Sequence, residues 1–256
     1  MTIVIQSNAD VSYTIVVPSV YGAVLVNRYD TNQTNALIKT ASAIDTEEIR
    51  VMAALAAQLS PGSTIVDMGA NFGLYTLAMA RASAANACTV HAFEAQRVIA
   101  YMVCGTLALN AVENAIVHHL AVGNAEGMID IPKFDYRQVS SFGSVEFGES
   151  QKEFIGQPRL PSAEKVRLVS LDSMQLTQVR LMKIDVEGME DQALEGARQT
   201  IERDRPLCLV EWIKSDKAGL AAFFKLRGYT VYDWGMNLLC VPAPEAFPFQ
   251  HSLAVL

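Results

Sequence analysis

Residues 65–73 read Ile65-Val66-Asp67-Met68-Gly69-Ala70-Asn71-Phe72-Gly73, an apolar strand that runs into a glycine-bearing turn and then into a helix. In an open α/β sheet the first strand-to-helix crossover lies where a nucleotide-like ligand binds. Gly69 and Gly73 can take backbone angles closed to other residues and leave room for a ligand against the main chain. An ordinary tight turn would account for the glycines alone. The next strand, however, ends in His91-Ala92-Phe93-Glu94. A carboxylate at that strand tip can accept both hydroxyl hydrogens of an adenosine ribose.

Outward from this turn, short apolar strands alternate with helical stretches. Strands are expected at 64–68, 88–93, 116–121, 181–186, 207–211, 229–233 and 238–241, and helices at 74–82, 98–109, 190–203 and 217–226. That alternation predicts a parallel sheet covered by helices on both faces. Upstream, β-branched segments at 2–5, 13–17 and 21–26 are separated by polar or Gly/Pro turns and predict a small β-rich cap over residues 1–45. The main domain is expected over 46–256. It opens on Asp45-Thr46-Glu47-Glu48 and a helix with Ile49, Met52, Ala53, Ala56 and Leu59 on one face, and Pro61-Gly62 ends that helix. Residues 133–164 hold neither period for long, which fits an irregular insertion serving as a substrate-facing lid or as a structural or disordered excursion.

The composition, 256 residues with 51% hydrophobic and 18% charged, is enough to bury a large core. A net charge of -7 with no concentration of Lys and Arg argues against a nucleic-acid partner. The chain has no basic residue before Arg28 and no apolar run near the roughly 20 residues that span a bilayer. The expectation is a cytoplasmic protein without a membrane partner; its oligomeric state is open. Cys88, Cys104, Cys208 and Cys240 form no C-x-x-C pair and read as reduced core residues. His91, His118, His119 and His251 lack metal-ligand spacing, so no metal is expected.

A dinucleotide-binding dehydrogenase would share the glycine turn and Glu94. Here, though, the spacing is Gly-x-x-x-Gly with Asp67 before it, without the close-set Gly-x-Gly-x-x-Gly that admits a pyrophosphate. S-adenosylmethionine has no pyrophosphate, and its ammonium needs acceptors that Asp67 and the turn carbonyls can supply, directly or through water. A nicotinamide-dependent oxidoreductase also lacks support because no Tyr-x-x-x-Lys pair occurs. A catalytically silent nucleotide-binding module would have no need of the carboxylates described below.

At this point the sequence resembles the FkbM-type methyltransferases, a branch of the class I S-adenosylmethionine-dependent enzymes. The resemblance is carried by residues 24–30, 61–76, Phe93-Glu94-Ala95, Asn110, Ala121-Val122-Gly123, Leu171-Asp172, Lys183-Ile184-Asp185-Val186-Glu187-Gly188-Met189-Glu190 and 206–211. It implies a Rossmann-like, mostly parallel seven-stranded sheet with the last strand antiparallel. It also implies methyl transfer to a hydroxyl of a sugar, glycan or polyketide-like small molecule, with N-methylation of an amide or amine as the alternative. By the same resemblance Asp67, Gly69, Ala70, Asn71, Gly73, Tyr75, Thr76, Glu94, Ala95, Asn110, Val122 and Asp185 are expected around the cofactor.

Read from the residues themselves, strand alternation puts Leu181, Lys183, Asp185 and Glu187 on one face, with the two carboxylates at the strand's carboxyl edge, where ligands bind. Glu211 ends the next strand, so three carboxylates are expected in one cleft. Glu187 also fits a helix N-terminal charge, and Lys183 an ion pair. Asp185 and Glu187 are the leading candidates for a general base, with Glu211 orienting the acceptor or raising a neighbour's pKa.

Overall fold

A computed structural model describes residues 12–146, 154–242 and 254–256. The expected strand at 2–5 lies outside the described residues. Strands β1 (Thr14–Ser19) and β2 (Gly22–Asn27) form an antiparallel hairpin, followed by helices α1 (Gln33–Thr40) and α2 (Thr46–Ala56). The alternating core runs β3 (Thr64–Met68), α3 (Leu74–Ser83), β4 (Thr89–Phe93), α4 (Arg97–Leu109) and β5 (Ala115–His118). Next come the short strands β6 (Ala121–Val122), β7 (Gly127–Pro132) and β8 (Ala163–Val169). The core then resumes as β9 (Val179–Ile184), α5 (Glu190–Gly196), α6 (Arg198–Asp204), β10 (Leu207–Glu211), α7 (Lys217–Lys225), β11 (Thr230–Trp234), β12 (Asn237–Val241) and the two-residue β13 (Ala254–Val255).

The main sheet has the order β13-β11-β12-β10-β9-β3-β4-β5. The strands from β5 through β10 pair in parallel, while β12 runs antiparallel between β10 and β11, so the sheet is mixed. Alternation along the central strands explains why both faces are covered. Val66, Met68, Met182 and Ile184 meet α5, α6 and α7 through Leu194, Ile201 and Phe224. Ile65, Leu181 and Leu209 meet α2 and α3 through Met52, Leu55 and Met79. The strand order turns outward on both sides of β3 and β9, which places a crevice at their carboxyl ends.

Three features depart from the periodicity. The expected strand at 116–121 is two strands in different sheets, because the Leu120 N–H folds back to the His118 carbonyl (2.9 Å) and turns the chain from β5 into β6. The expected helix at 190–203 is broken at Ala197 (φ -107°). There Asp172, from outside the helix, accepts the N–H groups of Gln199 (3.0 Å) and Thr200 (2.8 Å) and caps a new start. Helix α1 was not anticipated. The Asp30 carboxylate creates it by accepting the N–H groups of Asn32 (3.2 Å) and Thr34 (2.9 Å). Of the cysteines expected inside, Cys88, Cys208 and Cys240 are buried but Cys104 is exposed, one residue off the buried stripe of α4 made by Val103 and Leu107.

The N-terminal hairpin lies on α4, where the Leu25 N–H donates to the Thr106 hydroxyl (3.0 Å). Within the irregular segment Phe142 is fully buried and stacks on Tyr136 (4.9 Å between centroids). It packs in one cluster with Val24, Leu37, Phe72 and Ile99. The Phe142 N–H donates to Asp30 (3.2 Å), so this part of the segment is anchored in a core it shares with the hairpin and α1.

Candidate active site

The glycine turn after β3 is held by Gly69 and Ala70, whose N–H groups both donate to the Phe93 carbonyl (2.9 Å each). Gly69 (φ 85°), Asn71 (φ 48°) and Gly73 (φ 82°) take left-handed angles, and Gly73 stands at the head of α3. The N–H of Asn71 donates to one Glu94 oxygen (2.9 Å) and that of Gln96 to the other (2.7 Å), which locks the carboxylate between the first two strand tips. Burial pushes Glu94 up to about 7 against those two hydrogen bonds.

A cleft of about 540 Å³ opens here, walled by Gly69, Asn71, Glu94, Ala95, Val122 and Asp185 among others. Ala70 and Tyr75 line a neighbouring recess together with Gln33, Asp45, Lys183 and Asp185. Asp67 and Thr76 do not reach these surfaces. Both are buried, and the Thr76 hydroxyl donates to the Asp67 carboxylate (2.5 Å) behind the turn. Burial pushes Asp67 up to about 6, opposed by that hydrogen bond and by Lys183. A Cβ placed on Gly73 would stand 3.0 Å from Val103 Cγ1, so this residue faces α4.

Asn110 lies outside these clefts. It ends α4, the helix that carries the chain from the carboxyl tip of β4 back to the start of β5. There its carboxamide accepts the Ala23 N–H (3.1 Å) and donates to the Ala23 carbonyl (2.6 Å), pinning the hairpin.

Strand β9 ends at Ile184, so of the four residues expected on one face alternation carries only Leu181 and Lys183. Asp185 follows the strand end, with its N–H on the Met68 carbonyl (3.0 Å). Glu187 reaches the cleft through a left-handed turn (φ 57°) followed by Gly188 (φ 95°). Glu190 stabilises that turn by accepting the N–H groups of Val186 (2.9 Å) and Gly188 (3.2 Å). Asp185, Glu187 and Glu211 do gather. They line a second cleft of about 1020 Å³, which shares Asn71, Gly143, Asp185 and Glu187 with the first.

Two lysines balance the carboxylates. Lys183, 3% exposed, donates to Asp185 (2.9 Å) and lies over the Tyr75 ring (5.3 Å). Lys214 pairs with Glu187 and donates to the Ser144 carbonyl (3.1 Å). Burial opposes the Lys183 charge, but Asp185 and Glu211 outweigh it and raise its pKa. Burial and then Asp185 push Glu211 up to about 8. The same two causes raise Glu187 against the pull of Lys214. Glu187 and Glu211 therefore hold their protons more tightly than ordinary carboxylates do.

Sequence reasoning missed Gln33, Asp45, Gln96, Lys214 and Asn237, all of which line these clefts. Lys214, in the loop directly after β10, carries a readable signal; Asp45 reads only as the start of a helix, and Gln33, Gln96 and Asn237 have no motif of their own. Among the described residues, no group of three or more His, Cys, Asp or Glu is arranged to hold a metal ion, and no helix is long and apolar enough to cross a membrane.

A sheet of this order, with its ligand crevice at the carboxyl ends of β3, β4 and β9, has the class I methyltransferase fold. The methyltransferase FkbM domain model matches residues 67–231, and the chain belongs to that family. The crystal structure of methyltransferase FkbM from Methylobacillus flagellatus KT is similar with a TM-score of 0.50 and 17% identity. That match covers 72% of this chain and 44% of the other, so this chain spans less than half the length of that relative. Precorrin-6y C5,15-methyltransferase from Geobacter metallireducens GS-15 aligns with a TM-score of 0.46 at 10% identity, over 78% of this chain and 90% of that one. The Pyrococcus abyssi tRNA (uracil-54, C5)-methyltransferase, in complex with S-adenosyl-L-homocysteine, aligns with a TM-score of 0.40 at 12% identity, over 86% and 39%. No curated protein matches the chain in sequence.

Proposed function

We propose that the protein transfers a methyl group from S-adenosylmethionine to a hydroxyl of a small molecule, acting in the cytoplasm. The observation that carries this reading is the junction of the two clefts at Asp185 and Glu187, one cleft bearing Glu94 and the other Glu211. The residues fit the cofactor. Glu94, fixed by two backbone N–H groups, would accept the two ribose hydroxyls; Ala95 and Val122 give the same cleft an apolar wall suited to the base, and Gly69 leaves the main chain bare. Asp185 keeps one buried oxygen without a hydrogen-bond partner, which suits the ammonium of the methionine portion.

When bound, S-adenosylmethionine supplies an electrophilic methyl group on a sulfonium. The chain's own contribution is alignment and proton removal. The shared wall of the two clefts holds an acceptor oxygen facing the donor, and such positioning lowers the barrier substantially. Glu187, raised by burial and by Asp185, is a stronger base when ionised than an ordinary carboxylate and takes the hydroxyl proton. Lys214 orients that carboxylate, and Glu211 in the same cleft holds the acceptor. Calorimetric titration with S-adenosylmethionine and with NAD tests the reading. Binding of the first and not the second is expected, and the reverse would replace it with an oxidoreductase.

A further inference from the structure

The larger cleft changes character from floor to mouth. On the floor, Glu211 and Asn237 are paired across β10 and β12. Asn237 is 5% exposed, yet its Oδ1 has no hydrogen-bond partner. The two ammonium groups in this wall, on Lys183 and Lys214, are already engaged by Asp185 and Glu187. A floor with a spare oxygen acceptor and committed cations favours a ligand that donates hydrogens, and it repels an anion.

The mouth is apolar. Ile44 (52% exposed), Ile213 (49%) and Met236 (48%) line the same cleft. They come from three separate connections: between α1 and α2, after β10, and between β11 and β12. A single exposed apolar side chain is ordinary, but three from distant parts of the chain meeting at one cleft mouth make a contact surface for apolar matter. Nothing in the cofactor reading uses them, because none borders the smaller cleft.

We infer that the methyl acceptor is amphipathic: an uncharged, hydroxyl-bearing head is set on the floor by Asn237 and Glu211, and an apolar body lies across Ile44, Ile213 and Met236. This rests on the methyltransferase reading for the assignment of the larger cleft to the acceptor. It accounts for two features that catalysis leaves unexplained, the orphaned Asn237 oxygen and the apolar rim.

The test uses the full chain saturated with S-adenosylhomocysteine and three probes, 1,2-propanediol, 1,2-octanediol and octanoate, with affinities read by ligand-observed NMR. A buried methylene strengthens binding about fourfold, so a body only partly covered by the rim should still bring octanediol at least about tenfold above propanediol. Octanoate should bind more weakly than octanediol. In the Ile213→Ser, Met236→Ser double variant the gain of octanediol over propanediol should vanish, both positions being half-exposed and tolerant of a smaller polar side chain. Equal affinity for the two diols, octanoate matching octanediol, or a gain that survives in the double variant would each overturn the inference. Failure of S-adenosylhomocysteine itself to bind would instead strike the methyltransferase reading.

Discussion

Gly69 lies directly against the backbone of Asp185: a Cβ placed on Gly69 would stand 1.7 Å from the Asp185 carbonyl oxygen. The turn that begins the cofactor cleft and the turn that carries the carboxylates are therefore in main-chain contact, and no side chain fits between them. The pairing of β3 with β9 and the hydrogen bond from the Asp185 N–H to Met68 enforce that approach.

Gly69→Ala is thus expected to be costly twice over, through the clash and through a backbone angle (φ 85°) that alanine resists. A loss of roughly 2–4 kcal/mol follows, which in a chain of this size lowers Tm by roughly 5–15 °C. Scanning calorimetry checks it. An unchanged Tm would mean that the two turns separate without penalty.

Glu94→Ala removes the acceptor proposed for the ribose hydroxyls, and a hydrogen bond to a charged group contributes about 1.5–3 kcal/mol. Affinity for S-adenosylhomocysteine should drop at least about tenfold. The wild type should also show a pH signature. Accepting two hydroxyl hydrogens requires the ionised carboxylate, so affinity should weaken as pH falls through about 7, and Glu94→Gln should lack that dependence. For the ligand-free fold the sign is opposite: a carboxyl whose pKa is raised by folding contributes stability at low pH that is lost as pH rises through about 7.

Among the three carboxylates, Glu211→Gln is the clean probe of chemistry, while Glu187→Gln also takes the charged partner from Lys214. Glu187→Gln should cut the methyl-transfer rate by roughly 10² or more, the scale of a lost general base. Because burial and Asp185 push Glu211 up to about 8, the wild-type rate should rise with pH through that region, and Glu211→Gln should displace the rise. Asp185→Asn is a different experiment. It leaves Lys183, 3% exposed, without its charged partner, so a loss of about 3–5 kcal/mol in stability should accompany any kinetic effect. Thermal melts run alongside turnover separate the two, and full activity in both glutamine variants would rule out the carboxylate mechanism.

Asp30 joins three parts of the chain by accepting the N–H groups of Asn32, Thr34 and Phe142. Asp30→Ala should cost roughly 2–3 kcal/mol, combining a lost helix cap with a lost tie to the irregular segment. Hydrogen exchange should accelerate at residues 140–146 far more than in β3. Equal protection in wild type and variant would show that Phe142 holds the segment by packing alone.

The sequence by itself determined the elements whose information is local. Residues 64–68 read as a strand buried on both faces, the glycines mark left-handed turns, and Glu94 and Glu211 fall at strand tips; each is a matter of neighbouring side chains and backbone freedom. The FkbM family too was legible, since its motifs are contiguous. Tertiary structure alone decided whatever depends on partners far along the chain. Asn110 belongs to the hairpin because Ala23 offers it both a donor and an acceptor. The helix after β9 breaks because a distant Asp172 caps its second half. Glu187 faces the cleft through a positive φ secured by Glu190, where a simple continuation of the strand had suggested the right face by the wrong path. Asn237 and the rim of Ile44, Ile213 and Met236 carry no motif at all. They become a surface only when three loops meet, and a one-dimensional pattern cannot encode that meeting.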